Sequence, residues 1–224
     1  MSTRIFAKRI GINQCYVVQG DGCIMIDTGP FKGAGAIVAW LDSIPVRPEE
    51  IGLLVLTHGH ADHVGAAAAV NRITGARIAL HADDRHALEN GAIEWPAAVT
   101  LWGRVLRTCL KPMAPLARFP KADVDVALGN EGLSLEDYGI AGRVLHTPGH
   151  TPGSVSVLLE TGDAFVGCMA HNGFPFRSGP GLPIFAEDLL KLRASWGMLL
   201  EQGATTIYPG HGRPFPSEAI LGTL

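Results

Sequence analysis

Thr57-His58-Gly59-His60-Ala61-Asp62-His63 is the stretch on which the fold turns. His58, His60, Asp62 and His63 all carry groups that can ligate a metal, and they crowd into one short segment. Upstream, the apolar run Leu53–Thr57 reads as a buried strand. Downstream, the Ala-rich run Val64–Ile73 predicts a helix, with Asp62 near its cap and Gly75 as its stop. Arg77–Leu80 reads as the next strand. Strand, helix and strand alternate, which favours a layered α/β architecture. A strand end is a rigid place to mount a site. In a tight turn, His58 and His60 can face one metal while Asp62 and His63 face its neighbour. Imidazole and carboxylate donors suit Zn²⁺, and iron and manganese as well.

Two further loops extend the pattern. His146-Thr147-Pro148-Gly149-His150-Thr151-Pro152-Gly153 follows a predicted strand, and Tyr208-Pro209-Gly210-His211-Gly212 follows another. Histidine loops at three strand ends can converge on one edge of a layered fold. Around them, Gln14–Gln19 and Cys23–Asp27 read as a hairpin turned by Gly20-Asp21-Gly22. Cys15 and Cys23 are placed to face each other across it as reduced, half-buried thiols. Ala34–Leu41 predicts a helix. Strands are predicted at Asp123–Leu128, Gly142–His146, Ser154–Leu159, Ala164–Gly167 and Thr205–Tyr208. Phe185–Gln202 predicts an amphipathic helix stopped by Gly203. Residues 82–121 form a helical insert broken by Pro96, Pro112, Pro115 and Pro120. The insert carries Arg104, Arg107, Lys111, Arg118 and Lys121, with no acid from Trp95 to Ala122. That stretch is a solvated face or a surface for an anionic substrate.

The composition bounds the rest. The chain has 224 residues and a mass of 23.7 kDa, enough for one large domain, taken here as 1–224. Hydrophobic residues make up 47% and charged residues 17%, which excludes a disordered chain. The balance of 18 basic against 21 acidic residues excludes a dedicated nucleic-acid binder. No apolar run approaches the roughly 20 residues that a membrane span needs, and the N-terminus lacks a signal-peptide core. With no Cys-x-x-Cys pair, the expectation is a soluble cytoplasmic protein acting on a small molecule, without nucleic acid or membrane.

With these motifs in place, the chain resembles the metallo-β-lactamase superfamily. The resemblance rests on Thr57–His63, the His150 loop, the His211 loop and Ile26-Asp27-Thr28-Gly29, and runs from about Cys15 to His211. It implies a four-layer αββα sandwich. By the same resemblance, His58, His60 and His150 hold a first metal and Asp62, His63 and His211 a second. Asp27 orients a ligand from behind. The implied chemistry is a dinuclear zinc hydrolase that attacks an ester, thioester, lactone or lactam with a metal-activated hydroxide. Asp62 would carry the proton.

One position departs from the glyoxalase II type, whose Gly-Asp supplies an Asp that bridges the metals. Here Gly167-Cys168 stands at that place. Some true metallo-β-lactamases carry Cys there, so Cys168 is a candidate thiolate ligand of the second zinc. The departure weighs against an iron-dependent sulfur dioxygenase, the alternative reading, and leaves a non-catalytic metal-binding member as a third. The chain ends 13 residues after His211, so the helical glutathione-binding domain of family glyoxalases is expected to be missing. His171 and Arg177 are candidate substrate contacts in the loop His171–Pro183. Trp95, Trp102, Met113, Phe174 and Phe176 are candidates for an apolar pocket or for core packing. His81 and His86 read as surface or cap residues, and His146 as a strand end packed near the site without ligating.

Overall fold

The computed structural model describes residues 3–91, 97–110 and 118–224. The first sheet is built from β1 (Arg4–Ile10), β2 (Asn13–Gln19), β3 (Cys23–Ile26), β4 (Ile51–Val55), β5 (Arg77–His81) and β6 (Val126–Leu128), side by side in that order. The first three strands pair antiparallel, and β3 to β6 run parallel. The second sheet holds β7 (Leu133–Ser134), β8 (Gly142–His146), β9 (Val155–Leu159), β10 (Asp163–Asn172), β11 (Thr206–Gly212) and β12 (Phe215–Pro216), also in order. Only β10 and β11 are parallel in it.

Side-chain alternation explains why the central strands read as unbroken apolar runs. Val18, Ile24, Leu53 and Val55 point between the sheets, where they meet Val144, Val157 and Phe165. Their neighbours Val17, Met25, Leu54 and Ile78 point outward, onto α1 (Ala34–Leu41) and α3 (Ala67–Thr74) through Ile37, Trp40 and Val70. On the far side, Leu158, Ala164 and Val166 pack on α6 (Leu189–Glu201) through Leu192, Trp196 and Leu199. The result is the expected αββα sandwich.

Several boundaries moved for identifiable reasons. The helix expected over Val64–Ile73 is two pieces, α2 (Ala61–Val64) and α3, because the Ala66 amide donates to Gly29 O. The helix expected from Phe185 starts only at Leu189. There the Asp188 carboxylate accepts the Leu190 and Lys191 amides at 2.9 and 3.0 Å. Residues 184–186 are spent elsewhere, exchanging backbone bonds with 97–99. The expected insert contains α4 (Arg85–Asn90) and α5 (Leu101–Leu110). Trp95, Pro96, Lys111, Pro112, Met113 and Pro115 lie outside the described residues. The short α7 (Glu218–Leu221) completes the elements. Cys15 and Cys23 are not cross-strand partners: Cys23 sits opposite Gln19, and both thiols are free and fully buried rather than half-buried.

Trp196 is fully buried, and its indole N–H donates to Met169 O at 3.1 Å. Truncating it to Ala should cost about 3–5 kcal/mol of unfolding free energy, read from denaturant midpoints. Leu190→Ala, at an 81% exposed position on the same helix, should stay within about 0.5 kcal/mol.

Candidate metal centre

The strand ends deliver the predicted residues to one place. After β4, the Asp27 carboxylate accepts the Thr57 amide at 2.8 Å and the Thr57 hydroxyl at 2.8 Å. It also accepts His63 Nδ1–H at 2.7 Å. Asp27 itself sits at φ 56, in the left-handed region that Asp tolerates better than most residues. Thr28 adds its amide and hydroxyl to the His63 carbonyl. His60 caps α2, and that single turn brings His63 back to Asp27.

The imidazoles share one logic. His58 Nδ1 is held at 3.1 Å by Thr57 Oγ1, whose own proton goes to Asp27. His150 Nδ1 donates to Phe185 O at 2.9 Å, and His211 Nδ1 donates to Ile12 O at 3.0 Å. With Nδ1 occupied as donor on His58, His63, His150 and His211, each Nε2 offers its lone pair to a proton or a metal. These lone pairs converge. His150 Nε2 lies 3.0 Å from His60 Nδ1, and His63 Nε2 lies 3.4 Å from His211 Nε2. His58 Nε2 is buried and has no hydrogen-bond partner among the described residues. Buried acceptors facing one another in this way fit a cation between them, so the residues present suit a metal.

Cys168 follows Gly167 on β10. At Gly167, φ is 51 and a Cβ would come within 2.5 Å of Thr57 Oγ1. The register shift there swings Cys168 inward, with Sγ 3.3 Å from His63 Nε2. His58, His150 and Cys168 form one group whose donor atoms lie within 4.8 Å of one another, and His63, Cys168 and His211 form a second. Asp62 Oδ2 stands 3.4 Å from His211 Nε2 and 3.8 Å from His63 Nε2, with its side chain 38% exposed.

The electrostatics follow from burial and crowding. Burial opposes ionisation of Cys168, but His211, His63, His150 and His58 overcome it and hold the thiol well below its ordinary range. Burial also disfavours a charged His211, yet Cys168 and Asp62 lift it to about 9. His63 is raised in the same way, with Asp27 adding to the pull. At His60 the pull of Asp62 and Cys168 is outweighed: burial and then His150 push it down to about 3.

Other predicted residues lie around this core. His171 is buried beyond Cys168 on β10, its ring 4.7 Å from Phe176 and 5.1 Å from His211, and neither ring nitrogen has a hydrogen-bond partner among the described residues. Arg177 is turned onto its own loop, donating to Gly179 O and Leu182 O rather than offering a free guanidinium. Phe174 is 87% exposed, and Trp102 donates to Pro175 O. His81 is buried rather than on the surface and takes the expected cap role, its Nδ1 accepting the Asp83 amide at the start of a short 3-10 turn. Its ring stacks on His146 at 4.2 Å. Lys121 lines a separate surface hollow with Arg72, Asp123 and Asp125.

Two supports were invisible in the sequence. Asp84, buried at the start of α4, accepts the Gly59 amide at 2.8 Å, the Thr151 hydroxyl at 2.7 Å and the Gly153 amide at 3.0 Å. It staples the His58–His60 loop to the His150 loop. Asn13 donates to Asp62 Oδ2 at 3.2 Å from the start of β2. A cleft of 210 Å³ opens beside His60, lined by Gly59, Asp84, His86, Thr151 and Glu187. A larger hollow of 670 Å³, along β7 and β8, contains none of the cluster.

Comparisons with known proteins identify the family and the fold. The family model described as the metallo-beta-lactamase superfamily matches residues 9–211. A hydroxyacylglutathione hydrolase of Anaeromyxobacter dehalogenans is 32% identical over 217 residues, covering 93% of this chain and 64% of that protein. A beta-lactamase-like protein 2 homolog of Drosophila melanogaster is 29% identical, covering 90% of this chain and 59% of its own length. The chain thus spans under two thirds of both of these relatives. Among solved structures, the BLEG-1 B3 metallo-beta-lactamase superposes with a TM-score of 0.72 at 24% identity, over 96% of this chain and 95% of that one. At that identity the likeness establishes the fold.

Removing Asp84 strands buried donors on both histidine loops. Asp84→Ala should therefore cost about 3 kcal/mol or more in denaturant unfolding. A loss under about 1 kcal/mol would mean that water replaces the carboxylate and that no staple exists.

Proposed function

Since this chain belongs to the metallo-β-lactamase superfamily, we propose that it is a metal-dependent hydrolase of a carbonyl substrate, an ester, thioester, lactone or lactam. The observation that carries this reading is the set of Nε2 lone pairs, each fixed by an Nδ1 donor bond and turned to a shared centre. On it, His58, His60 and His150 hold a first zinc ion. Asp62, His63, Cys168 and His211 hold a second. When bound, these ions supply an activated water and a Lewis acid for the carbonyl oxygen.

The chain's own residues do the rest. Asp27 fixes the tautomer of His63 and, through Thr57, that of His58. Asp62 combines partial exposure with a carboxyl that stays ionised. Burial raises its pKa, but His63 and His211 outweigh that and hold it well below the ordinary range. It accepts a proton from the attacking water and returns it to the leaving group. The cleft beside His60 admits a small molecule, and the name of the Anaeromyxobacter relative places thioesters in the substrate panel. The soft Cys168 donor supports zinc over the iron of an oxygen-dependent reading. No helix among the described residues is long and apolar enough to cross a membrane.

Protein purified without added metal should contain bound metal. It should lose ester, thioester or lactone turnover to a chelator and regain it with zinc. Less than about half an equivalent of metal, with no turnover on zinc addition, would sink the reading.

Metal affinity should also depend on pH with a definite sign. Without metal, the raised pKa values of His63 and His211 leave at least one proton on their facing nitrogens at neutral pH, and a metal must displace it. Affinity at that half should rise roughly tenfold per pH unit per proton released, levelling off near the His211 value of about 9. The depressed His60 releases no such proton, so the first half should be flatter over the same range. Chelator competition across neutral and mildly alkaline pH measures both.

A further inference from the structure

His81 ends β5 in the first sheet and His146 ends β8 in the second, and their rings lie nearly parallel, 4.2 Å apart with 10° between the planes. Neither belongs to the two donor groups of the metal centre. Each holds one side of the Asp84 staple. His81 Nδ1 accepts the Asp83 amide at 3.3 Å and so caps the turn Ala82–Asp84, which carries the Asp84 carboxylate. His146 Nε2–H donates at 2.8 Å to the carbonyl of Pro152, whose neighbours Thr151 and Gly153 are both bonded to Asp84. We propose that this stacked pair is an acid-sensitive clamp: it keeps the His58–His60 loop and the His150 loop joined at neutral pH and releases them when His81 takes up a proton. The clamp acts on the backbone of the loops and stands whether or not the hydrolase reading does.

The geometry sets what a proton does. With Nδ1 as acceptor, the neutral His81 ring carries its hydrogen on Nε2, which is buried and has no hydrogen-bond partner among the described residues. Protonation must then occur at Nδ1, the atom that accepts from Asp83, so the ring cannot gain a charge and keep the cap. The new cation would also be buried, at 2% exposure, and would face His146 across the stack, where a second charge would repel it. The groups that act on His81 come from three places: His146 from β8, Asp83 and Asp84 from the turn, and Asn130 from the loop after β6. Asp83 Oδ2, 3.7 Å from Nδ1, favours the cation, as do Asn130 and Asp84. Burial and then His146 outweigh them and hold His81 below its ordinary value. The closed clamp therefore binds the proton more weakly than the open one. Closure is at full strength above the ordinary histidine value of about 6.5 and is lost as pH falls below it.

Amide hydrogen exchange of the protein as purified tests this without added metal or turnover. The Gly59 and Gly153 amides, both bonded to Asp84, report the clamp, and the Leu56 amide, bonded to Ala79 O within the first sheet, is the control. After correction for intrinsic exchange rates, opening at Gly59 and Gly153 should grow by up to about tenfold per pH unit below about pH 6.5, with Leu56 unchanged. His81→Asn keeps an acceptor at the cap and cannot titrate, so exchange at both glycines should be flat over the same range. In the wild type the His81 ring resonance should titrate below about 6.5. Opening at the two glycines that does not change with pH would overturn the clamp, and so would a His81→Asn protein that opens as steeply as the wild type. A His81 ring that titrates at or above its ordinary value would overturn it as well, and that measurement needs no variant. If Leu56 opens in step with the glycines, the acid effect is global unfolding and no local clamp exists.

Discussion

One buried carboxylate sets the geometry on which the centre depends. Asp27 sits where β3 ends and accepts from the Thr57 amide, the Thr57 hydroxyl and His63 Nδ1. Its φ of 56 is a strained choice for a residue with a side chain, and the bonds it makes hold it there. Through them, the end of one parallel strand fixes the loop after the next. His58 follows from Thr57, and His63 follows directly. A carboxylate buried to 2% exposure costs free energy unless fully paired, and here the pairing partners are the elements that carry the ligands.

The two sheets then have to meet. Each contributes histidines from strand ends, and the contacts across the edge hold the halves in register. Asp84 joins the first loop to the His150 loop. On the other side, the N-terminal hairpin reaches over to β11. Ile12 O takes His211 Nδ1–H, Tyr16 donates to Pro209 O at 2.7 Å, and Gln14 donates to Gly212 O. Close backbone approach is needed there as well, since a Cβ at Gly210 would lie 2.6 Å from His63 Cε1. Ligand positions are therefore properties of both sheets together, and a loop alone would not hold them.

Much of this was legible in the residues. The apolar runs and turn glycines gave the α1 boundaries and β8 as they stand, and the histidine loops marked the site. What stayed hidden was of two kinds. β1 has a mixed, largely exposed pattern as an edge strand, so no periodicity announced it. β10 was expected to stop at Gly167 but runs to Asn172, because a bulge carries the strand on past the glycine. The second kind is long-range pairing. Asp84 and Asn13 are ordinary polar residues in sequence, and their roles depend on partners 67 and 49 positions away. Arg177 shows the converse. Its charge suggested a ligand contact, but nearby loop carbonyls claim its donors.

The insert is tied to the same centre through one short segment. Residues 97–99 exchange backbone bonds with 184–186, where Val99 N donates to Ile184 O and Ala186 N donates to Ala97 O. Within that segment, Phe185 O receives His150 Nδ1–H, the bond that turns His150 Nε2 toward His60. Asp188 and Glu187 then anchor it by donating their amides to Gly149 O. A shift of the 97–99 strip cannot be absorbed locally, because the segment it pairs with also orients His150. The region in which substrate selection is expected and the orientation of a first-metal ligand are thus coupled mechanically. Changing the insert to accept a different substrate would carry a cost at the metal centre unless the 184–186 pairing is kept.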